Sequence, residues 1–144
     1  MLKRFQEVCI KLGAKNMSKI ISTDEAPQAI GPYSQAVKSG GLLFLSGQIP
    51  LNKQGEMNDG DIEAKTRQVF KNIEAILAVE KLSLSHIIKV NIYLIDISNF
   101  DTVNQVMSSL FSAPYPARAL VQVSALPKGS EVEVEVVAEA PVAN

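Results

Sequence analysis

Four residues have side chains and neighbours suited to chemistry on a small anion. Arg118 follows the stretch "YPA", and Glu133 lies within "EVEVEV". Tyr33 and Ser46 add hydroxyl groups beside turn-forming residues, in "IGPY" and "SGQIP". An arginine can bind a carboxylate through two parallel hydrogen bonds, and a glutamate can transfer protons. This set is compatible with a site for a small carboxylic acid.

The same residues also have simpler interpretations. Taken alone, an arginine such as Arg118 is more often part of a surface salt bridge. Glu131, Glu133 and Glu135 share one side of an alternating strand, which is typical of a solvated face. The choice between these interpretations depends on the rest of the chain.

Several kinds of site are excluded by residue types. The sequence has one histidine, His86, and one cysteine, Cys9. A Ser-His-Asp or Cys-His site would therefore rely on His86, which lies at the entrance to a predicted strand. Zinc sites normally use several histidines or cysteines at short spacings, so we predict no metal. The glycines at 40, 41 and 47 form neither a phosphate-binding loop nor a dinucleotide fingerprint, and we expect no cofactor.

The composition predicts one soluble globular domain. The 144 residues are 47% hydrophobic and 20% charged, with a net charge of -1. Basic residues interleaved with aromatic ones are missing, so nucleic-acid binding is not expected. No apolar run approaches the roughly 20 residues of a membrane-spanning helix. The single cysteine excludes an internal disulfide and favours the cytoplasm.

Residues 1–16 differ from the rest of the chain in charge. They carry four basic residues and one acidic residue, net +3, which leaves -4 for the remainder of the total of -1. Apolar side chains recur within the segment at helical spacing, at Leu2, Phe5, Cys9 and Leu12. We interpret the segment as an extension: an extra helix, an upstream start before Met17, or an organelle-targeting peptide. The domain itself is predicted at residues 17–144.

Hydrophobic periodicity predicts eight elements. Three strands, "KIIS", "QAVKSG" and "LLFLSGQI", precede a helix that starts near Asp59 and Asp61, and Gly40-Gly41 joins the second and third strands as a hairpin. The strand "HIIKVNIYLID" is followed by a second helix with a capping box of Ser98 and Asp101. "RALVQVSAL" and "EVEVEVVAEA" are two further strands, both long enough to be central. The order β-β-β-α-β-α-β-β predicts an α+β fold, one sheet with two helices on one face.

The other face of the sheet needs a cover. In the fourth strand, alternation predicts a core face of Ile88, Val90, Ile92 and Leu94 and a second face of Lys89, Asn91 and Tyr93. This second face is mixed rather than plainly solvated, and it would be buried if several sheets closed into a barrel. We therefore expect a homo-oligomer.

Four stretches together resemble one protein family. "AIGPYSQAV", "LFLSGQIP", "YPARALVQV" and "EVEVEVVA", in this order and spacing, closely resemble the Rid family, also called the YjgF family, and within it the RidA-type 2-iminobutanoate/2-iminopropanoate deaminases. The resemblance runs from about Ser18 to Ala140. It implies a chorismate-mutase-like α+β fold and a homotrimer, in which three sheets form a central barrel and the active sites lie between subunits.

The resemblance also implies an activity. RidA-type members are hydrolases that act on C=N bonds of small 2-imino and enamine carboxylic acids, such as 2-aminoacrylate, released by pyridoxal-phosphate-dependent enzymes. The products are a 2-oxo acid and ammonia, and no cofactor is used.

Residue roles follow from the same resemblance. Arg118 corresponds to the arginine that binds the substrate carboxylate, and Glu133 to the glutamate that positions or activates the attacking water. Tyr33 matches a pocket residue and is a second candidate for proton transfer. The other positions that match the pocket are Ser46, Gly47 and Asn104.

The sequence departs from the family pattern at one position, and two alternative functions stay open. Leu120 follows Arg118 by two residues, where many members have cysteine, which puts thiol-dependent regulation in doubt. The first alternative is an endoribonuclease or translation inhibitor, against which the acidic balance and the single histidine count. The second is a non-catalytic trimer that binds small carboxylates, which would need Arg118 but not Glu133. The presence of both residues favours catalysis.

Overall fold

Six strands and two helices follow one another in the predicted order. The structure, a computed structural model, describes residues 18–141, so the predicted extension at 1–16 lies outside the described residues. The elements are β1 (Lys19–Ile21), β2 (Ala36–Ser39), β3 (Leu42–Leu45), α1 (Ile62–Ala78), β4 (Ile87–Leu94), α2 (Phe100–Leu110), β5 (Ala117–Gln122) and β6 (Val132–Glu139). The predicted α+β class is confirmed.

The strands form one sheet in the order β1-β2-β3-β6-β4-β5. All neighbours are antiparallel except β4 and β5, which are parallel and are connected through α2. The prediction that both final strands are central is correct for β6 and wrong for β5, which is an edge strand. Length shows that a strand is able to lie inside a sheet, but it does not say whether a second strand pairs with it.

Helix α1 begins where the acidic residues predict it. The Asp61 side chain accepts a hydrogen bond of 2.9 Å from the Ala64 N–H, which satisfies one of the free donors at the helix start. The apolar stripe of α1 packs on the sheet, and each fully buried isoleucine or leucine in it contributes about 2 kcal/mol. The buried residues of this helix are Thr66, Val69, Phe70, Asn72, Ile73, Ile76 and Leu77.

Helix α2 begins differently from the prediction. A 3-10 turn at Ile97–Asn99 leads directly into it, and Asp96 accepts a hydrogen bond of 2.9 Å from the Ser98 N–H. Ser98 therefore lies inside a turn rather than at the helix boundary, and the predicted capping box with Asp101 is wrong. The buried face of α2 is as predicted for Val103, Val106 and Met107.

Strand β4 separates the two faces of the sheet, with one exception. Val90, Ile92 and Leu94 are buried beneath the helices, as predicted. Ile88 is not, because a register shift between Ile87 and Lys89 inserts an extra residue into the strand. Ile88 is 42% exposed and Ile87 takes its place in the core.

The face of the sheet away from the helices carries exposed apolar side chains. Strand register places Ile20, Val37, Phe44 and Val137 in one row across four strands. Phe44 is 46% exposed in the single chain. Val121, on the same face at the β5 edge of the sheet, is 47% exposed. Within residues 18–141, neither helix has both the length and the apolarity needed to cross a membrane.

Candidate functional site

One cleft collects four of the six predicted site residues. It has a volume of about 380 Å³ and is lined on its polar side by Tyr33, Ser46, Gly47, Glu133 and Glu135. Apolar residues, including Ile30, Ile49 and Leu51, form the remaining wall. We call it the Glu133 cleft.

A buried glutamine holds the loop that carries Tyr33. The Gln35 side chain accepts a hydrogen bond of 2.7 Å from the Thr23 N–H and donates to the carbonyl groups of Thr23 (3.1 Å) and Pro27 (2.9 Å). The Tyr33 hydroxyl accepts a hydrogen bond of 3.1 Å from the Ile30 N–H. Sequence reasoning did not single out Gln35, although a polar residue that leads into a short buried strand is a signal for such a role.

Ser46 and Gly47 bring a second segment against the loop and β6. The Ser46 hydroxyl donates to the Ser34 carbonyl at 2.6 Å, so it links two segments of the chain. A methyl group in place of the Gly47 α-hydrogen would overlap the Glu133 carboxylate. The adjacent Gln48 exchanges backbone hydrogen bonds of 2.8 and 3.0 Å with Val134. Only glycine lets the backbone and the Glu133 side chain approach so closely.

Glu133 is half-buried in this cleft beside a second carboxylate. Burial, and secondly the negative charge of Glu135, raise the pKa of Glu133 above its usual value. Within residues 18–141 the Glu133 carboxylate forms no hydrogen bond; it lines the cavity, with Oε1 packed close to Gly47. Glu135 by contrast accepts hydrogen bonds from the Tyr93 hydroxyl at 2.6 Å and the Asn91 amide at 3.1 Å.

A second cleft, of about 330 Å³, contains the other two predicted residues, Arg118 and Asn104. The Arg118 Nη1 donates to Asn104 Oδ1 at 2.6 Å and lies 3.5 Å from the Met107 sulfur. The guanidinium carbon lies 5.5 Å from the centre of the Phe100 ring, a cation–π distance. We call this the Arg118 cleft.

Helix α2 supplies all three partners of Arg118. Phe100, Asn104 and Met107 recur at i, i+4 and i+7, so they share one helix face. Of the three, sequence reasoning assigned only Asn104 to the site, and this spacing is the signal that points to Phe100 and Met107. Because Arg118 uses only Nη1 among the contacts of the described chain, Nη2 and Nε stay available for a ligand.

The two clefts open on opposite faces of the sheet. Arg118 is in register with Val90, whose side chain lies on the helix-covered face. Glu133 is in register with Tyr93, on the other face. A single chain therefore does not bring the predicted carboxylate-binding and proton-transferring groups to one ligand.

Residues 18–141 contain no arrangement of side chains suited to metal binding or to histidine-based catalysis. Among residues 18–141, no three His, Cys, Asp or Glu side chains are arranged to hold a metal ion. His86 lies outside both clefts, in a short turn where its Nδ1 accepts a hydrogen bond of 3.0 Å from the Ser83 N–H.

Comparison with known proteins identifies the family. The family model described as Endoribonuclease L-PSP matches residues 23–140. A RutC family protein of Pyrococcus horikoshii is 48% identical over 123 residues, which are 85% of this chain and 98% of that protein. A 2-iminobutanoate/2-iminopropanoate deaminase of Dermatophagoides farinae is 44% identical over 118 residues, 81% of this chain and 92% of that protein.

Solved structures agree with the sequence relatives. The crystal structure of TdcF from E. coli with bound serine superposes with a TM-score of 0.81 at 41% identity. The match covers 85% of this chain and 99% of TdcF.

Proposed function

This chain belongs to the Rid family, the family matched by the Endoribonuclease L-PSP model, and we propose that it is an enamine/imine deaminase. Its substrates are 2-iminopropanoate, with the tautomer 2-aminoacrylate, and 2-iminobutanoate. Water adds to the C=N carbon, the C–N bond of the resulting carbinolamine breaks, and a 2-oxo acid and ammonia leave. The main support is a pair of preorganised half-sites, an arginine held by Asn104 and a half-buried Glu133, in a chain 44% identical to a named deaminase.

Arg118 binds the substrate carboxylate. Asn104 orients one end of the guanidinium, and Phe100 packs against it. The remaining N–H groups are therefore held in position before the substrate binds. A planar fork matches the two oxygens of a carboxylate. Substrate is thereby held with its C=N carbon at a fixed place.

Glu133 transfers the protons. Its raised pKa keeps a larger fraction of the carboxyl protonated near neutral pH than an ordinary glutamate would have. The protonated form donates to the imine nitrogen, which makes the carbon electrophilic, and the resulting carboxylate then accepts a proton from the attacking water. General acid–base catalysis of this kind contributes about 10²–10⁴-fold. Tyr33, Ser46 and Gly47 line the same cavity and shape the space for the substrate.

The complete site lies between subunits of a homotrimer. Arg118 and Glu133 face opposite sides of the sheet in one chain, so a ligand that contacts both needs a second copy. The apolar row of Ile20, Phe44 and Val137, in which Ile20 and Phe44 are exposed, gives that copy a surface to bury. We also place the protein in the cytoplasm, because a single cysteine suits a reducing compartment.

Two other functions have specific support and serve as outcomes of the test. The family description names an endoribonuclease. Against RNA cleavage, residues 18–141 carry ten basic and fourteen acidic side chains, net -4, and the single histidine lies outside both clefts. A carboxylate-binding role without catalysis is favoured by TdcF, which is described with bound serine.

A coupled assay tests the proposal. A threonine or serine dehydratase generates the enamine, semicarbazide traps the imine in competition, and 2-oxo acid release is followed. We expect faster release with the wild type, no acceleration with Arg118→Ala, and full acceleration with Arg67→Ala, a surface arginine that pairs only with residues outside the clefts. A folded wild type that gives no acceleration, yet binds serine or cleaves RNA, overturns the deaminase in favour of the corresponding alternative.

A further inference from the structure

The Glu133 cleft contains a second carboxylate, that of Glu135, which hydrogen bonds hold in place. Tyr93 and Asn91, neighbours on one face of β4, both donate to the same oxygen of Glu135, at 2.6 and 3.1 Å. The pKa of Tyr93 is raised, mainly by this hydrogen bond, so its hydroxyl keeps its proton and remains a donor. Glu135 lines the cavity, and β4 holds its carboxylate through the one oxygen Oε1.

We propose that Glu135 is a positioning residue for the deaminase reaction, which acts through Glu133, and that Tyr93 and Asn91 fix its carboxylate for this purpose. This inference rests on the proposed function. The charge of Glu135 makes ionisation of Glu133 less favourable and so keeps Glu133 in the proton-donating form. A fixed negative charge in the cleft also favours the protonated imine nitrogen over the neutral one.

Strand geometry gives the two carboxylates a constant spacing. Residues i and i+2 of a strand point to the same face, about 7 Å apart along it. In a partly buried site two charges at this distance interact more strongly than they do in water. The raised pKa of Glu133, caused first by burial and then by the charge of Glu135, agrees with this geometry.

Other charged or titratable groups around Glu133 do not duplicate the role of Glu135. They are Tyr93 and Lys89 on β4, Glu131 before β6, Lys65 on α1, Lys128 in the turn before β6, and Tyr33 in the loop. Glu131 is paired with Lys65, so its charge is compensated. Lys89 is in register with Val137, about 13 Å along the strand direction from Glu133. Lys128 is exposed to solvent.

Carboxyl titration by NMR tests the coupling without requiring activity. Protein labelled with carbon-13 at the glutamate carboxyl is titrated, and the Glu133 signal is assigned by its loss in Glu133→Gln. Glu135→Gln removes the charge, while its amide oxygen can still accept from Tyr93 and Asn91. Glu139→Gln is the matched control, because Glu139 is exposed on the same strand about 20 Å away.

We expect the Glu133 midpoint to move to lower pH in Glu135→Gln and to stay in place in Glu139→Gln. The alkaline fall of kcat/KM in the imine assay should move to lower pH by the same amount. Tyr93→Phe should give a smaller shift in the same direction, which keeps the test informative if Glu135→Gln does not fold.

An unchanged Glu133 titration, with an active wild type, overturns this inference alone. A titration that moves while the pH profile of kcat/KM stays in place also overturns it, because the charge is then felt by Glu133 but not used in the reaction. A wild type without imine hydrolysis overturns the proposed function, and the catalytic part of this inference with it.

Discussion

Arg118 and Glu133 project from opposite faces of one sheet, on strands that are separated by β4. Each residue is prepared for a ligand in its own cleft, one by Asn104 and one by burial beside Glu135. In the proposed trimer, every active site therefore takes its arginine from one subunit and its glutamate from another.

Mixed trimers should recover activity that their parents lack. Subunits with Arg118→Ala and subunits with Glu133→Gln are each expected to be inactive. When the two are coexpressed with different affinity tags and trimers that carry both tags are isolated, one of the three sites in each receives both intact residues, so about one third of wild-type activity should return. Arg118→Ala mixed with the double variant is the control and should stay inactive. Inactive mixed trimers would show that one chain supplies both residues.

Arg118→Lys should lose activity although the charge is kept. Lysine cannot bind both carboxylate oxygens with a planar fork, nor can it match the Asn104 and Phe100 contacts of the guanidinium. Loss of a charged hydrogen bond costs about 1.5 to 3 kcal/mol, or about 10- to 100-fold in kcat/KM. Steady-state kinetics of Arg118→Lys and of Arg67→Lys, the surface control, check this. Equal kcat/KM values for the two variants would contradict it.

Gly47→Ala should disturb both stability and activity through one contact. The added methyl group overlaps the end of the flexible Glu133 side chain, so the carboxylate has to move, and we expect a cost of about 1 kcal/mol, the low end for overpacking. Denaturant unfolding should show this loss in the single variant. The double variant Gly47→Ala, Glu133→Ala should recover the stability but not the activity, because the shorter side chain removes the overlap. A single variant as stable as the wild type would mean that Glu133 moves aside freely.

Glu80 should make stability depend on pH in the acidic range. Its carboxylate bridges Lys19 (2.5 Å) and Lys38 (2.7 Å), and these hydrogen bonds lower the pKa of Glu80. The stabilisation is present above the unfolded pKa of about 4.3 and is lost as the pH falls through the lower folded value. Because Lys19 is 64% exposed, we expect only about 1 kcal/mol at neutral pH.

The comparison of wild type with Glu80→Gln in denaturant unfolding measures this contribution. The difference in unfolding free energy should be constant near neutrality and disappear in acid. Glu63→Gln, which breaks an exposed pair with Arg67, is the control and should change stability by less. A Glu80→Gln difference that persists at low pH would contradict the ionic explanation.

Periodicity predicted the elements because most side chains obey the periods of ideal helices and strands. The stripe of α1 and the core face of β4 follow them closely. Ile88 breaks the pattern because a bulge depends on how two strands align, and alignment is not a property of one segment. The edge position of β5 was missed for the same reason, since pairing partners are chosen by the whole sheet.

The candidate site could be predicted as a set of residue types but not as an arrangement. The resemblance supplied Arg118, Glu133 and Asn104 by position in the chain. Their division between two faces depends on the parallel register of β4 and β5, which no motif contains. The sequence shows Tyr93 and Glu135 as polar residues of alternating strands. Their hydrogen bond is diagonal, because the register places Tyr93 opposite Glu133, and that register is not visible in either strand alone.

The central place of β6 also determines when the chain can fold during synthesis. This strand leaves the ribosome after the other five strands of the sheet, yet it fills the gap between β3 and β4 and pairs Leu42 with Glu139, two residues far apart in the chain. Contacts so distant in sequence close late and slowly. Until β6 emerges, the only pairings of this sheet that can form are those among β1, β2 and β3 and that of β4 with β5, so β3 and β4 each keep an unpaired edge that other chains can reach.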